Sequence, residues 1–197
     1  MARKYEMKRR AERQEETHRR ITEAAVEMHQ SLGPANTTIS AIAERAGVQR
    51  LTVYRHFPDE RALLAACSAH YAAGHPRPDP DSWTPISDPE ERIRRALTET
   101  YAYHRRTEPM MSKVLRDAEV YAPVTEASAP YRRHWDRAKY ALVGGWGVED
   151  TQLKTLLGAL GHALDFWTWR SLVGGQGLSD EEAVELMVGM VRSSARD

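Results

Sequence analysis

Apolar residues recur along this chain with helical spacing nearly throughout, and no alternating Val/Ile/Thr run bounded by turns predicts a strand. Ile21, Ala24, Ala25 and Met28 follow an i, i+3, i+4, i+7 pattern, which predicts a first amphipathic helix over about 14–32, stopped by Gly33 and Pro34. A short helix over about 38–45 follows, capped by Thr37 or Thr38, then a tight turn at Ala46-Gly47-Val48 and a second short helix over about 49–56. Pro58-Asp59 opens a fourth helix that buries Leu63, Leu64 and Cys67.

Between Gly74 and Pro89 the composition shifts, because Pro76, Pro78, Pro80, Pro85 and Pro89 are half of all the prolines. This marks a linker and a domain boundary, giving an amino-terminal domain over 14–73 and a carboxy-terminal domain over 74–197. Asp88, Pro89 and Glu91 then read as the cap and first turn of a long helix striped by Ile93, Ala96, Leu97, Tyr101 and His104. Further helices are predicted around Met111–Ala118, from Ser128–Pro130 to Gly144, and from Leu153 through Trp167 to Gly174. The last opens with the capping box Ser179-Asp180-Glu181-Glu182. The expected fold class is therefore all-α, with about nine helices.

The segment from Thr37 to Phe57 carries the chemistry. Two short helices can cross steeply around a small apolar centre made by Ile39, Ile42 and Ala43 on one side and Val48 and Val53 on the other. Gly47 stands where the first of them must end in a left-handed residue. The second helix offers Gln49, Arg50, Thr52, Tyr54, Arg55 and His56 within about two turns. Arg and Gln can read base edges in a major groove, while Thr and Tyr can hold phosphates. An αα-corner without DNA is the bland alternative for the turn alone, but it does not explain the polar second helix.

Formal charge is zero, yet it is unevenly spread. Between Met1 and Arg13, Arg3, Lys4, Lys8, Arg9, Arg10 and Arg13 face only Glu6 and Glu12, so a neutral protein carries a basic arm suited to a polyanion. A single cysteine, Cys67, excludes an intrachain disulfide and a Cys-rich zinc site. The absence of an apolar run of membrane length and of a secretory leader pattern points to the cytoplasm, with no membrane partner.

At this point the sequence resembles the tetracycline-repressor-like (TetR/AcrR) transcriptional regulators. The resemblance rests on Arg20-Ile21, Ala24-Ala25, Thr37-Thr38, Ile42-Ala43, Ala46-Gly47-Val48, Thr52-Val53-Tyr54-Arg55-His56-Phe57 and Leu63-Leu64, about 50 residues. It implies a three-helix DNA-binding domain followed by a helical domain that binds a small molecule and dimerises. The segment Phe166–Val173 looks like members from high-GC bacteria. One position departs: where the family often has a Lys that meets a phosphate at the start of the fourth helix, this chain has Glu60 followed by Arg61, so either Arg61 takes over or the anchor is missing. The expected DNA-contacting set is Thr37, Thr38, Ser40, Gln49, Arg50, Leu51, Thr52, Tyr54, Arg55, His56 and Arg61.

Other groupings are weaker. His162 and Asp165 sit at i, i+3, but no third group completes a catalytic or metal set, and there is no phosphate loop or nucleophile elbow. The expectation is no enzyme, no cofactor and no metal. Trp83, Tyr101, His104, Met111, Trp135, His162, Phe166 and Trp169 form a candidate lining for an apolar or aromatic effector. Leu156, Leu160, Leu164, Met187 and Val191 are the candidate dimer seam, because the last two helices are apolar over more than one face. The function expected is a dimeric repressor released from a pseudo-palindromic operator by a small hydrophobic ligand. The alternative is a constitutive regulator without an effector.

Overall fold

The structure, a computed structural model, describes residues 2–195, with the side chains of residues 2–4, 150 and 151 outside that description. Among the described residues there are ten α-helices and no strand: α1 (Ala2–Leu32), α2 (Ile39–Arg45), α3 (Arg50–His56), α4 (Glu60–Gly74), α5 (Pro89–Ala118), α6 (Ala122–Ala127), α7 (Ala129–Ala141), α8 (Asp150–Leu164), α9 (Phe166–Arg170) and α10 (Asp180–Ser194). The all-α expectation holds. The chain divides into two compact units, one made of residues up to His75 together with Pro109–Ala129, the other of Pro76–Glu108 together with the chain from Pro130.

In the first unit α1 starts twelve residues before the predicted position. Its early part is exposed from Tyr5 to Glu16 and buries nothing, so no apolar stripe marks it. It is supported instead by local pairs such as Lys8–Glu12 at 3.8 Å and Arg9 over the Tyr5 ring at 5.8 Å. The core begins at Ile21 and gathers Ala24, Ala25, Ile42, Ala43, Ala46, Val53, Phe57, Leu63 and Cys67. Burial pushes the Cys67 thiol up to about 12, so it packs here as a small apolar group.

The segment 109–129 closes this unit. α6 packs on α4, and the buried Asp117 accepts the Ala35 N–H at 3.0 Å while pairing with Arg116 at 2.7 Å. The turn it clamps begins at Gly33, whose φ of +94° and lack of a Cβ admit the Asp117 carboxylate; a Cβ there would lie 2.6 Å from Oδ2.

In the second unit α5 opens as expected, with Asp88 Oδ1 accepting the Glu91 N–H at 2.8 Å. The helix then continues through Pro109, so the separate helix predicted around Met111–Ala118 is the carboxy-terminal part of α5. The predicted helix from Leu153 through Trp167 is, conversely, two. Asp165 is extended (φ −72°, ψ 139°), ends α8, and caps α9 by accepting from the N–H groups of Trp167 and Thr168 at 2.8 and 3.1 Å. A short helical turn of π type, Ser171–Gly175, follows, and the predicted capping box opens α10 with Ser179 and Glu182 bonded reciprocally. Short α6 was not anticipated. Arg92, almost fully buried, donates to the carbonyls of Ile86, Gly144 and Ser87 at 2.7, 2.7 and 3.3 Å, so the loops at 86–87 and 144 are held by one guanidinium.

Candidate nucleic-acid interface

Local chemistry builds the two crossing helices. Thr38, not Thr37, caps α2: its Oγ1 accepts from the Ala41 N–H at 3.2 Å, a bond worth about 1 kcal/mol. Just beyond α2, after the cap residue Ala46, Gly47 takes φ +65°, as its sequence position demanded. There Val48 N–H turns back to Ala43 O at 2.9 Å and Gly47 N–H to Glu44 O at 3.0 Å. The Arg20 guanidinium from α1 donates to Ala46 O, tying the turn to the first helix. Gln49, extended at φ −78° and ψ 148°, starts α3.

α3 is buried at Val53, and Phe57 just beyond its end is buried too, while Gln49, Arg50, Leu51, Tyr54 and Arg55 are exposed and Thr52 and His56 half-buried. Leu51 is 68% exposed, an apolar side chain with no core to fill, which suits contact with a thymine methyl. Tyr54 is 40% exposed and stands outside the centre of the helix pair, where Val53 packs. The Tyr54 hydroxyl accepts from Arg50 Nη2 at 3.1 Å, and the Arg50 guanidinium lies 5.5 Å from the Tyr54 ring centroid. Arg55 Nη2 donates to Thr52 Oγ1 at 3.1 Å. Each arginine is thus oriented by a neutral neighbour and keeps its full charge for a polyanion. His56 adds little charge: burial, then His18 and Arg55, hold its imidazole below the usual range.

On α2, Thr38 and Ser40 are exposed beside Thr37, which is half-buried and donates to Gly33 O at 2.8 Å. Arg61 is placed differently from the expected anchor. Its guanidinium pairs with Glu126 of α6, with Nε at 2.9 Å and Nη2 at 3.0 Å, and neighbouring Glu60 accepts from the Tyr121 hydroxyl at 2.5 Å. The residues at the start of α4 therefore brace α6. Of the basic arm, Lys8, Arg9, Arg10 and Arg13 are exposed on α1, and the side chains of Arg3 and Lys4 lie outside the described residues.

This stretch, 21–67, matches the family model described as bacterial regulatory proteins, tetR family. The match covers this segment and not the rest of the chain. Its two ends, Ile21 and Cys67, are both core residues, so the match covers the packed three-helix centre and stops where that core stops. Uncharacterized HTH-type transcriptional regulators resemble it: one of Mycobacterium bovis is 42% identical over 59 residues, and one of Mycobacterium tuberculosis 40% over 58, in each case 29% of this chain. The match spans 31% of the length of those relatives. Over the whole chain the fold is shared with a TetR-like transcriptional regulator from a Rhodococcus species, with a TM-score of 0.63, 19% identity, and 92% and 97% of the two chains covered. It is likewise shared with a TetR family transcriptional regulator from Thermus thermophilus, with a TM-score of 0.57, 18% identity, and 88% and 97% covered.

The candidate effector residues are distributed over both units. Met111 belongs to the first unit and the other seven to the second. His162 is exposed and bonded through Nδ1 to Thr168 Oγ1 at 3.0 Å, while Asp165, expected beside it, serves as a helix cap. Trp83, Tyr101, His104, Phe166 and Trp169 are fully packed. Trp83 donates to Glu99 at 2.8 Å and Tyr101 to Ala163 O at 3.0 Å. His104 meets Leu164 O through Nε2 at 3.0 Å. Trp135, half-buried, borders a cavity of about 110 Å³ with Tyr131, Gly161, Leu164 and Phe166.

The candidate dimer seam is corrected. Leu156, Leu160, Leu164, Met187 and Val191 are each 6% exposed or less within the single chain, where α8 packs against α10, so they are internal core. The apolar positions of these helices that remain exposed are Gly158 and Leu186, the latter 49% exposed, with Leu157, Gly189 and Met190 half-buried beside them. Among the described residues no helix is long and apolar enough to cross a membrane, and no three His, Cys, Asp or Glu are grouped to hold a metal ion.

Proposed function

We propose that this chain is a sequence-specific DNA-binding transcriptional regulator, acting as a homodimeric repressor that a small apolar or aromatic ligand releases from its operator. The observation that carries the reading is the outward face of α3. Gln49, Arg50, Leu51, Tyr54 and Arg55 stand exposed on a helix whose other side is fixed by Val53 and the buried Phe57 beyond it. A helix so held can enter a major groove with its donors and one apolar group at the base edges, while Thr38, Ser40 and the basic side chains of α1 take phosphates. The match of the segment to the tetR family model and the likeness of the whole fold to tetR-type regulators support the same reading.

One such helix pair reads only a few base pairs, too few to select a genomic site, and two copies about a helical turn apart would add their discrimination. The exposed Leu186 of α10, with the half-buried Gly189 and Met190 on the same face, offers an apolar strip for the second copy. Selection from a random duplex pool tests the proposal. A pseudo-palindrome with half-sites about 10 base pairs apart is expected; a pool that enriches no sequence overturns it.

A further inference from the structure

Four buried polar atoms of the second unit lack a hydrogen-bond partner and lie in one neighbourhood: Arg77 Nε, His104 Nδ1, His134 Nε2 and Trp135 Nε1. The Trp135 ring lies 4.9 Å from His134, 5.3 Å from His104, 5.8 Å from Tyr131 and 5.9 Å from Tyr103, centroid to centroid. The Arg77 guanidinium sits 5.7 Å from the Tyr131 ring centroid. Tyr131, His134 and Trp135 share one face of α7 by their i, i+3, i+4 spacing, and Arg77 reaches them from the segment before α5.

A buried donor left unpaired costs about 1–3 kcal/mol, and a charged one more. Arginine and the indole N–H can only donate; the Tyr103 and Tyr131 hydroxyls beside Arg77 and Trp135 are neutral acceptors, and beside a guanidinium an anionic one is favoured. The surrounding carboxylates are already engaged. Asp79 and Asp81 pair with Arg137, Asp136 pairs with Lys139 at 3.2 Å, and Asp165 caps α9. No described carboxylate makes an ion pair with Arg77 itself. Aromatic rings surround these donors, and the adjoining cavity of about 110 Å³, bounded by Tyr131, Trp135, Leu164 and Phe166 together with the ion-paired Asp136 and Lys139 and the helix-capping Asp165, is of the order of the ~150 Å³ that accommodates benzene in an engineered core.

We propose that Arg77, His134 and Trp135 bind the carboxylate of a small aromatic acid, whose ring stacks against Tyr131 and enters the cavity beside Phe166. This names the chemistry of the effector in the function proposed above. His134 can serve as a neutral donor there, since burial, with Arg77 and Arg137 nearby, lowers its imidazole to about 4.

Quenching of tryptophan fluorescence in the full chain, with no DNA present, separates this inference from the DNA-binding reading. Benzoate should quench saturably, and benzamide and acetate should each bind at least about tenfold more weakly, the first lacking the charge and the second the ring. Arg77→Met should lose about tenfold or more toward benzoate and Arg77→Lys recover part of it. Equal affinity for benzamide and benzoate in the unaltered protein, equal affinity for acetate, or no saturable quenching by benzoate overturns the proposal, whether or not the protein binds DNA.

Discussion

Asp117 accepts the backbone N–H of Ala35 at 3.0 Å across 82 positions of sequence, and Gly33 leaves it the room to do so. The same carboxylate is held by Arg116, whose Nη2 also reaches Leu32 O at 3.4 Å. The turn between α1 and α2 is thus positioned by the end of α5 rather than by its own sequence. Asp117→Ala should remove the acceptor of the part-buried Ala35 N–H and lower unfolding free energy by about 0.5–1.5 kcal/mol in urea denaturation. Gly33→Ala, at positive φ and against that carboxylate, should cost at least as much. Unchanged midpoints for both variants would remove Asp117 from this role.

Arg50 and Tyr54 act as a pair on α3, the ring and hydroxyl of one orienting the guanidinium of the other. Arg50→Ala should weaken operator binding and relax one base pair, by about 1–3 kcal/mol. Tyr54→Phe keeps the ring and loses the hydroxyl, so its effect should be the smaller. Both variants should retain the melting temperature of the parent. Fluorescence anisotropy against the selected duplex and its single-base variants measures each of these.

Charge on α1 should show in salt dependence. Removing Lys8, Arg9, Arg10 and Arg13 together by substitution with Gln should flatten the slope of log K against log salt by about 0.9 for each phosphate no longer neutralised. An unaltered slope would mean that these exposed side chains touch only solvent.

The two faces of the last helices should respond in opposite ways to a charge. Leu160→Glu places a carboxylate in a fully buried position and should unfold the second unit or cost several kcal/mol, with loss of thermal stability. Leu186→Glu, at a 49% exposed position, should leave the melting temperature near that of the parent and instead shift sedimentation toward monomer. A parent protein that is already monomeric at micromolar concentration would end the dimer proposal.

His29 and His104 are buried, and desolvation lowers each imidazole from 6.5 to about 4, against the pull of Asp117 on His29 and of the Leu164 carbonyl, then Asp180, on His104. Above pH 6.5 both folded and unfolded states are neutral at these positions, and their contribution to stability is complete. As pH falls from 6.5 toward 4 the unfolded chain takes up protons that the folded one refuses, so stability is lost at up to about 1.4 kcal/mol per pH unit per histidine. His104→Gln, which can still donate to Leu164 O, should flatten that slope in urea titrations at pH 7, 6 and 5.

What the sequence determined by itself was local. Thr38, Gly47, Asp88 and the Ser179–Glu182 box announce helix ends because caps depend on neighbours a few residues apart, and the polar face of α3 is legible because its period is that of the helix. The all-α class followed from the same periodicity. What only the tertiary structure decided depends on contacts between distant positions. An apolar stripe shows that a helix face is buried but not against what, so Leu156, Leu160, Leu164, Met187 and Val191 read as a dimer seam until α8 and α10 are seen packed on each other. Arg61 looked free for a phosphate until Glu126, 65 positions away, was found beside it. The unpaired donors of Arg77, His134 and Trp135 could not be read at all, since whether a buried polar atom lacks a partner depends on every chain segment folded around it.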